Sequence, residues 1–335
     1  MITMKYVLLV KPGVEEFSVQ ECALSGVSAR RVENGMIEYY AEQPIDPARL
    51  CFPFWQLTDP FDISAESGEQ LRVTDIADEW FRKEIGAERI DVPWSCIWLA
   101  ASNNGITRNE SRTTLFLAVL KKRLSRISKL ALTSIPKPGT PARGLFAVEY
   151  GNQNRLLLSR NALAFGQQRM KDSPAAPSRS FLKVEEAFTI MGRAPLPGET
   201  VVDLGAAPGG WAWAAAKRGA TVFAIDNGPL KKAAADHPRI YHYREDAYRW
   251  FPEKAVDWLF CDMIDAPHLV LKNVAKWCAA DRCRYAIINF KYGHANPVEI
   301  LRLLQGGKGI GISSTRMICR HLFHDRDEFT MMLER

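Results

Sequence analysis

Acid–base chemistry is suggested first by a lysine and several acids that flank predicted strands in the second half of the chain. Lys291 ends a mostly apolar strand that reads AIINFK, and it is joined by Asp226, Asp246, Asp262 and Glu328. Burial disfavours the ammonium form of a lysine and nearby acids favour it, so a lysine held between these effects can act as a general base. The alternative for each charge taken alone is a solvent-exposed loop residue.

A glycine-rich turn joins a strand to a helix in the stretch VVDLGAAPGGW, Val201 to Trp211. Asp203 closes the strand, and Gly205, Gly209 and Gly210 follow. Because glycine has no Cβ, the backbone can approach a ligand closely, and the helix N-terminus supplies free N–H donors. The spacing is not the G-x-G-x-x-G of dinucleotide enzymes, and Pro208 stiffens the turn. The turn predicts a nucleotide-like ligand, with an ordinary strand-to-helix turn as the alternative.

The acids around this turn favour S-adenosylmethionine (SAM) as that ligand. An acid that closes the strand suits a cationic or hydroxyl-bearing ligand better than a pyrophosphate. Asp226 follows 23 residues after Asp203, a spacing at which an acid commonly accepts hydrogen bonds from both ribose hydroxyls. Asp246 follows the next strand, where it can meet the adenine amino group. Because SAM is already activated, an alcohol acceptor needs deprotonation and in-line placement but no metal.

The elements that must position these residues are strands that alternate with helices, which predicts a mostly parallel sheet covered by helices. Ligands of such sheets lie at the carboxyl ends of the strands. The predicted strands are Val201–Leu204, Thr221–Ile225, Ile240–Tyr243, Val256–Cys261, Tyr285–Phe290, Ser314–Cys319 and Phe329–Leu333. The predicted helices are Phe181–Met191, Trp211–Arg218, His268–Ala279 and Pro297–Leu304.

The chain before this sheet predicts smaller α+β modules. Residues 1–65 indicate one small unit and residues 66–170 a second, and the stretch KDSPAAPS at 171–178 has the composition of a linker. A helix is predicted over Ser111–Leu132, with leucines and an isoleucine at helical spacing. Its other face carries five basic residues, Lys121, Lys122, Arg123, Arg126 and Lys129. Such a face is either solvated or, with the further arginines and lysines that follow, a contact for RNA phosphates.

Composition limits the class of protein. The 335 residues carry a net charge of +6, a mild basic bias that is compatible with a nucleic-acid partner. Seven scattered cysteines without a C-x-x-C pair argue against a disulfide framework or a zinc site. We expect no signal peptide, because the apolar run near the start of the sequence is too short for one, and no apolar run of membrane-spanning length occurs in the sequence. We therefore expect a cytoplasmic protein with no membrane partner, and a monomer or weak dimer.

The ordered motifs resemble the FtsJ-like family of SAM-dependent ribose 2′-O-methyltransferases. The resemblance runs from SRSFLKVEEAF through VDLGAAPGGW, IDNGP, REDAY, CDM and NFK to LFHDRDEFT. It implies a Rossmann-like methyltransferase fold over 171–335 and a catalytic set of Lys183, Asp262, Lys291 and Glu328, with Lys291 as proton acceptor. With the turn residues, the predicted SAM contacts are Ser180, Asp203, Gly205, Ala207, Pro208, Gly209, Gly210, Trp211, Asp226, Asp246 and Asp262.

The branch of this family that is most similar has a ferredoxin-like piece and a THUMP RNA-binding domain upstream and methylates a cytidine in 23S rRNA. The resemblance implies RNA, 23S rRNA in particular, as the partner, and a role in rRNA processing. Residues 45–150 are much less alike, and Ala207 stands where a cysteine is common. Two alternatives stay open: a methyltransferase with another acceptor, such as tRNA, an mRNA cap or a small molecule, and an RNA-binding or ribosome-assembly protein that holds SAM without turnover. A nicotinamide dehydrogenase fits poorly because of the glycine spacing.

Overall fold

The computed structural model of the protein describes residues 3–64, 72–86, 88–103, 105–151, 155–306, 312 and 314–335. The chain divides into two compact units, Met1–Gly166 and Gln167–Arg335. In the described part of the first unit the strands are β1 (Met4–Val10), β2 (Ala29–Glu33), β3 (Met36–Ala41), β4 (Pro53–Thr58), β5 (Phe61–Ser64), β6 (Trp94–Ser102), β7 (Gly105–Arg108), β8 (Ala131–Leu132), β9 (Pro141–Tyr150) and β10 (Arg155–Ala164). The helices are α1 (Glu15–Leu24), α2 (Val73–Ile85), α3 (Glu110–Arg123) and α4 (Ser125–Ser128), with a short 3-10 helix at Pro47–Arg49.

One mixed sheet contains all of these strands. Its order is β2-β3-β1-β4-β10-β9-β6-β7, with β5 paired to β10 and β8 paired to β6. Strand β6 runs parallel to β9 and β8, and the other pairs are antiparallel. The described residues before and after position 65 therefore share one sheet, although apolar clusters form around Tyr6 and Leu8 on one part and around Phe81 and Trp98 on another. The three predicted domain ranges stay a prediction.

The helix predicted over Ser111–Leu132 is wrong beyond Arg123. Leu124 leaves the helical region with φ −131° and ψ 60°, and a second short helix follows. Ala131 and Leu132 instead pair with β6. The reason is tertiary hydrogen bonding: the backbone N–H of Trp94 donates to the Leu130 carbonyl at 3.1 Å, and its indole N–H donates to the Ile127 carbonyl at 2.9 Å. Local helical periodicity cannot reveal such competing partners.

The second unit follows the predicted alternation closely. Its described strands are β11 (Thr200–Leu204), β12 (Thr221–Ile225), β13 (Ile240–Tyr243), β14 (Val256–Cys261), β15 (Cys283–Lys291), β16 (Arg316–Arg320) and β17 (Glu328–Glu334). Its described helices are α5 (Phe181–Met191), α6 (Gly210–Ala216), α7 (Pro267–Ala279) and α8 (Pro297–Gly306), with a 3-10 helix at Lys232–Ala234. The stretch 171–178 lies inside this unit, where Ala176 is buried in the core.

The order of the second sheet is β13-β12-β11-β14-β15-β17-β16. Strands β11 to β15 are parallel, and β17 is antiparallel to both β15 and β16. The central strands are almost wholly buried, as expected for apolar runs in the middle of a parallel sheet. From β11 the chain adds β12 and β13 on one side of the sheet, and from β14 it adds β15 on the other side. The carboxyl ends of β11 and β14 therefore flank a topological switch point, where such sheets form a crevice for ligands.

The mixed α/β class predicted from the sequence is confirmed for the described residues, whereas a THUMP-like character of the first unit stays a prediction. None of the helices within the described ranges is both long enough and apolar enough to span a bilayer.

Candidate active site

The glycine turn after β11 needs glycine for steric and conformational reasons. Gly205 has φ +76°, and a Cβ there would lie 2.6 Å from Cγ of Met263. Gly209 has φ +105°, and a Cβ there would lie 2.5 Å from the Cβ of Ala234. Positive φ values favour glycine, and both collisions involve closely packed neighbours. A side chain at either position would collide with the protein, so the turn keeps its shape only with glycine, and we refer to it as the glycine cradle.

A cavity of about 350 Å³ lies beside this turn, at the carboxyl ends of β11, β12 and β14. Five of the predicted SAM-binding residues line it: Gly205, Ala207, Asp226, Asp246 and Asp262. The sequence reasoning missed the remaining wall, which is formed by Ile225, Asn227, Glu245, Ala247, Tyr248, Met263 and Ile264. The volume is in the range of about 300–1,000 Å³ typical of small-molecule sites. Its acid-lined wall fits a ligand with hydroxyl and amino groups.

The two acids predicted to hold the nucleoside are themselves fixed by backbone donors. Asp226 accepts hydrogen bonds from the N–H groups of Ala207 at 2.9 Å and Gly228 at 2.7 Å. Asp246 accepts a bond from the N–H of Tyr248 at 2.8 Å, and its side chain is 49% exposed. Because carboxylate oxygens can each accept more than one hydrogen bond, both acids keep capacity for ligand donors.

The other six predicted SAM contacts, Ser180, Asp203, Pro208, Gly209, Gly210 and Trp211, are not among the described residues that line the cavity. Trp211 is a core residue that packs edge-on against Phe260 and donates its indole N–H to the Ser180 carbonyl at 2.9 Å. The hydroxyls of Ser180 and Ser178 lie 2.7 Å apart, and a Cβ on Gly210 would lie 2.6 Å from each. These residues hold the turn in shape.

Asp203 is fully buried at the end of β11. Burial, together with the negative charges of Asp262 and Asp226, raises the pKa of Asp203 to about 8. Its carboxyl is therefore mostly protonated at neutral pH. A carboxyl with a raised pKa lowers the folding stability as the pH rises. Such shifted pKa values are common at functional sites.

Lys183, Asp262, Lys291 and Glu328 meet at the same end of the sheet, and we refer to them as the lysine–acid cluster. The Nζ of Lys183 lies 2.8 Å from Glu328 and 3.6 Å from Oδ1 of Asp262. The Nζ of Lys291 contacts Oδ1 of Asp262 closely and lies 3.8 Å from Glu328. Asp262 also lines the cavity, so the cluster and the cavity share a wall.

The fold explains why these residues converge. Asp262 directly follows β14, and Lys291 is the last residue of β15, so parallel pairing brings both to one edge. Glu328 is the first residue of β17, and the antiparallel register places it opposite Lys291. Lys183 comes from the first turn of α5. The buried carboxylate of Glu186 on the same helix accepts the N–H of Phe323 at 2.9 Å, which ties α5 to the segment before β17.

The two lysines differ in their surroundings. Burial alone would lower the pKa of Lys183, but the carboxyls of Asp262, Asp325 and Glu328 together raise it above its ordinary value. The side chain of Lys183 is 12% exposed, whereas that of Lys291 is 23% exposed. Lys183 is therefore held as a cation inside the cluster, and Lys291 is the more accessible amine.

Sequence reasoning missed two buried polar residues behind the cluster. Asn289 is fully buried in β15 and accepts a hydrogen bond from the Lys291 ammonium at 3.2 Å. Asp325 is fully buried before β17, and burial followed by the charge of Glu328 raises its pKa to about 8. A usable signal was present for Asn289, because residues two apart in a strand point to the same face and Asn289 precedes Lys291 by two.

Taken together, the sheet, the glycine cradle and the acid-lined cavity define a class of SAM-dependent methyltransferases. Residues 176–282 match a family model described as FtsJ-like methyltransferase. The chain therefore carries an FtsJ-like methyltransferase domain, and the family resemblance and SAM as cofactor, both predicted from the motifs, are confirmed.

The chain is also similar to curated proteins that share one name. The chain is 43% identical over 173 residues to a protein named Ribosomal RNA large subunit methyltransferase M from Halorhodospira halophila, covering 51% of this chain and 50% of the relative. A protein of the same name from Methylococcus capsulatus is 40% identical over 180 residues, 50% of each chain. These alignments span about half the length of the relatives. A third, from Laribacter hongkongensis, is 29% identical over 355 residues, 98% of this chain and 96% of the relative.

Proposed function

We propose that the chain transfers a methyl group from SAM to the 2′-hydroxyl of a ribose, in a cytidine of 23S rRNA, with Lys291 as the general base. The observation that carries the proposal is the lysine–acid cluster, which shares Asp262 with the cavity at the switch point. An amine, two carboxyls and a second cation beside a SAM cavity fit deprotonation of an alcohol. The names of the curated relatives support large-subunit rRNA as the substrate class.

The residues of the cavity would hold SAM as follows. Asp226 would accept hydrogen bonds from the ribose hydroxyls and Asp246 from the adenine amino group, while the glycine cradle admits the ligand close to the backbone. When bound, SAM supplies a methyl group on a positively charged sulfur, which an alcohol oxygen can attack without further activation.

The chain's own task is then to move one proton. The ammonium groups of Lys183 and Lys291 share Oδ1 of Asp262. Lys183 is the more buried and is paired with Glu328, so the more accessible Lys291 is the amine proposed as the proton acceptor. The electron pair of the broken carbon–sulfur bond stays on sulfur.

The first unit is proposed to select the RNA, as a ferredoxin-like and THUMP-like region would. Supporting this, the five basic residues Lys121, Lys122, Arg123, Arg126 and Lys129 are all exposed, and within the described part of the chain only Arg123 among them has an acid partner, Asp78 at 3.8 Å. Exposed cations of this kind bind phosphates without base specificity. Arg155 and Arg160 do not add to that surface, because they pair with Asp62 at 2.7 Å and Glu88 at 3.1 Å.

The test is methyl transfer from labelled SAM to rRNA of cells that lack this gene, followed by mapping of 2′-O-methyl positions. Lys291→Met is expected to lower the rate at least ~100-fold, as expected for loss of a general base, with the affinity for SAM almost unchanged in calorimetry. Lys272→Met, an exposed lysine on α7, is the matched control and should keep full activity.

Each other outcome points to a different function. Label in tRNA or capped RNA but not in 23S rRNA would favour another RNA acceptor. SAM binding without transfer to naked or assembled rRNA would favour a ribosome-assembly factor. Full activity of Lys291→Met would end the proposed role of Lys291.

A further inference from the structure

Asn289 stands out as a fully buried amide in an otherwise apolar strand, two residues before Lys291. A buried polar side chain has a cost unless its hydrogen-bonding groups are satisfied. Because residues two apart in a strand share a face, the side chains of Asn289 and Lys291 are neighbours on the same face of the sheet. It belongs neither to the cavity wall nor to the predicted catalytic set.

The contacts of Asn289 are directional. Its Oδ1 accepts a hydrogen bond from Lys291 Nζ at 3.2 Å. Its Nδ2 donates to Thr330 Oγ1 at 3.2 Å and to Asp325 Oδ1 at 3.4 Å. Since an ammonium group only donates, the amide oxygen must face Lys291 and the amide nitrogen must face the other two residues. The strand register supports the same arrangement, because Asn289 is opposite Thr330.

We propose that Asn289 is a positioning residue for Lys291, which keeps the lysine nitrogen in place while that nitrogen changes protonation state. The proposal rests on the role of Lys291 given under Proposed function. An oxygen acceptor binds an N–H of a lysine in both the ammonium and the neutral form. The bond to Asn289 therefore persists when the stronger attraction to the Asp262 carboxylate is lost with the positive charge.

The neutrality of Asn289 is essential to this role. Lys291 already faces Asp262 from β14 and Glu328 from β17, with the cation of Lys183 on α5 nearby and Asp325 beyond Asn289. Another carboxylate at position 289 would stabilise the ammonium form, so less of the neutral amine that can accept a proton would be present. An amide fixes the nitrogen without adding charge.

The experiment compares Asn289→Asp with the wild-type chain in pH–rate profiles of rRNA methylation. The variant is nearly the same size but adds an acid, so its acidic limb should shift to higher pH by about one unit. Its kcat near neutral pH should fall about tenfold, with KM for SAM unchanged. Asn273→Asp is the matched control, because Asn273 is a buried amide on α7. It should lower the melting temperature without moving the profile.

A second measurement does not depend on activity. Lysine labelled with ¹³C at Cε reports the titration of Lys291 by NMR, and its resonance is identified by its loss in Lys291→Arg. The titration midpoint should rise in Asn289→Asp, and it should fall in Asn289→Ser, whose shorter side chain withdraws the acceptor. Asn289→Ser also covers the case in which Asn289→Asp does not fold.

Failure of the proposed function and failure of the Asn289 role give different experimental results. If the wild-type chain methylates no RNA, the proposed function is wrong while the NMR titration still tests the Asn289 contact. If folded Asn289→Asp and Asn289→Ser leave both the pH profile and the Lys291 titration where they are, Asn289 is an ordinary buried amide and the positioning role is overturned.

Discussion

Two sets of buried carboxyl groups, one in each unit, have opposite surroundings. In the first unit, Glu38 meets Lys5 at 2.9 Å and Arg30 at 2.8 Å, and Glu149 meets Arg112 at 3.0 Å and the indole of Trp98 at 2.6 Å. Each acid there has its own cations or N–H donors. Such pairing favours the ionised form and is structural in purpose.

In the second unit, acids gather at one end of the sheet and face one another. Asp203 and Asp325 both have pKa values raised to about 8, with burial as the first cause and neighbouring acids next. A crowded arrangement of like charges lowers stability, and chains retain it where ligands or proton transfer need it. The contrast teaches that burial of an acid is not itself the mark of a site. The mark is burial among other acids, at the end of the sheet where the cavity lies.

The largest expected effect is on SAM binding, from a change in the glycine cradle beside the cavity of the second unit. Gly205→Ala should weaken SAM binding by at least ~100-fold, because the new Cβ meets Met263 and the positive φ disfavours alanine. Gly192→Ala is the matched control: its φ is +70°, but nothing lies within 4 Å of the added Cβ. It should cost only about 1 kcal/mol of folding free energy and leave SAM affinity intact. Calorimetric titration with SAM separates the two, and equal affinities would show that the cradle does not face the ligand.

The sequence predicted the strands of the second unit closely because the central ones are short, mostly apolar runs. Strands β12 and β14 are each followed by an acid, and β15 ends in a lysine. It also predicted the acids at the strand ends, since parallel strands bring those ends to one edge. Lys183 was different, because a lysine in a helix carries no local sign of its partners and only the family resemblance indicated it. The Lys183–Glu328 pair depends on how α5 packs beside β17, which is tertiary information.

The first unit was harder to predict from the sequence, because its pairing also depends on tertiary contacts. Its sheet pairs strands that are distant in sequence, such as β4 with β10 and β6 with β9. The segment at Ala131 and Leu132 changes from predicted helix to strand because Trp94 offers it hydrogen bonds. Likewise, Met263 and Tyr248 reach the cavity from segments after β14 and β13, and no spacing rule relates them to the glycine turn.

The next largest effect is on the pH dependence of stability in the second unit. Asp203 has a folded pKa of about 8 against an ordinary value of 3.8, so its folded form binds a proton more tightly than the unfolded chain does. Its contribution to stability is full below about pH 4 and decreases as the pH rises to about 8. Asp203→Asn should therefore gain stability over the wild-type chain as the pH rises, by an amount on the order of a few kcal/mol near pH 9. Thermal melts from pH 5 to 9 measure it, and a constant difference would contradict the raised pKa.

The smallest effect is expected at Glu38, where the sign reverses. Burial alone would raise the pKa of Glu38, but hydrogen bonds from Lys5 and Arg30 outweigh it and lower the pKa below the ordinary value of 4.5. The stability that this pair contributes is present above about pH 4.5 and is lost as the pH falls through the lower folded pKa. Glu38→Gln should destabilise the first unit by only about 1 kcal/mol at neutral pH, because the Lys5 and Arg30 side chains are 26% and 75% exposed and remain solvated without their partner.

The two variants together decide whether the comparison holds. The difference in melting temperature between Glu38→Gln and the wild-type chain should become smaller at acidic pH. The difference between Asp203→Asn and the wild-type chain should become larger at basic pH. Glu88→Gln, which removes an exposed partner of Arg143 and Arg160, serves as a surface control for the first unit. If Glu38→Gln and Asp203→Asn changed stability with pH in the same direction, the buried acids of the two units would not differ in kind. Crowding by other acids would then no longer distinguish a structural carboxyl from one that belongs to the site.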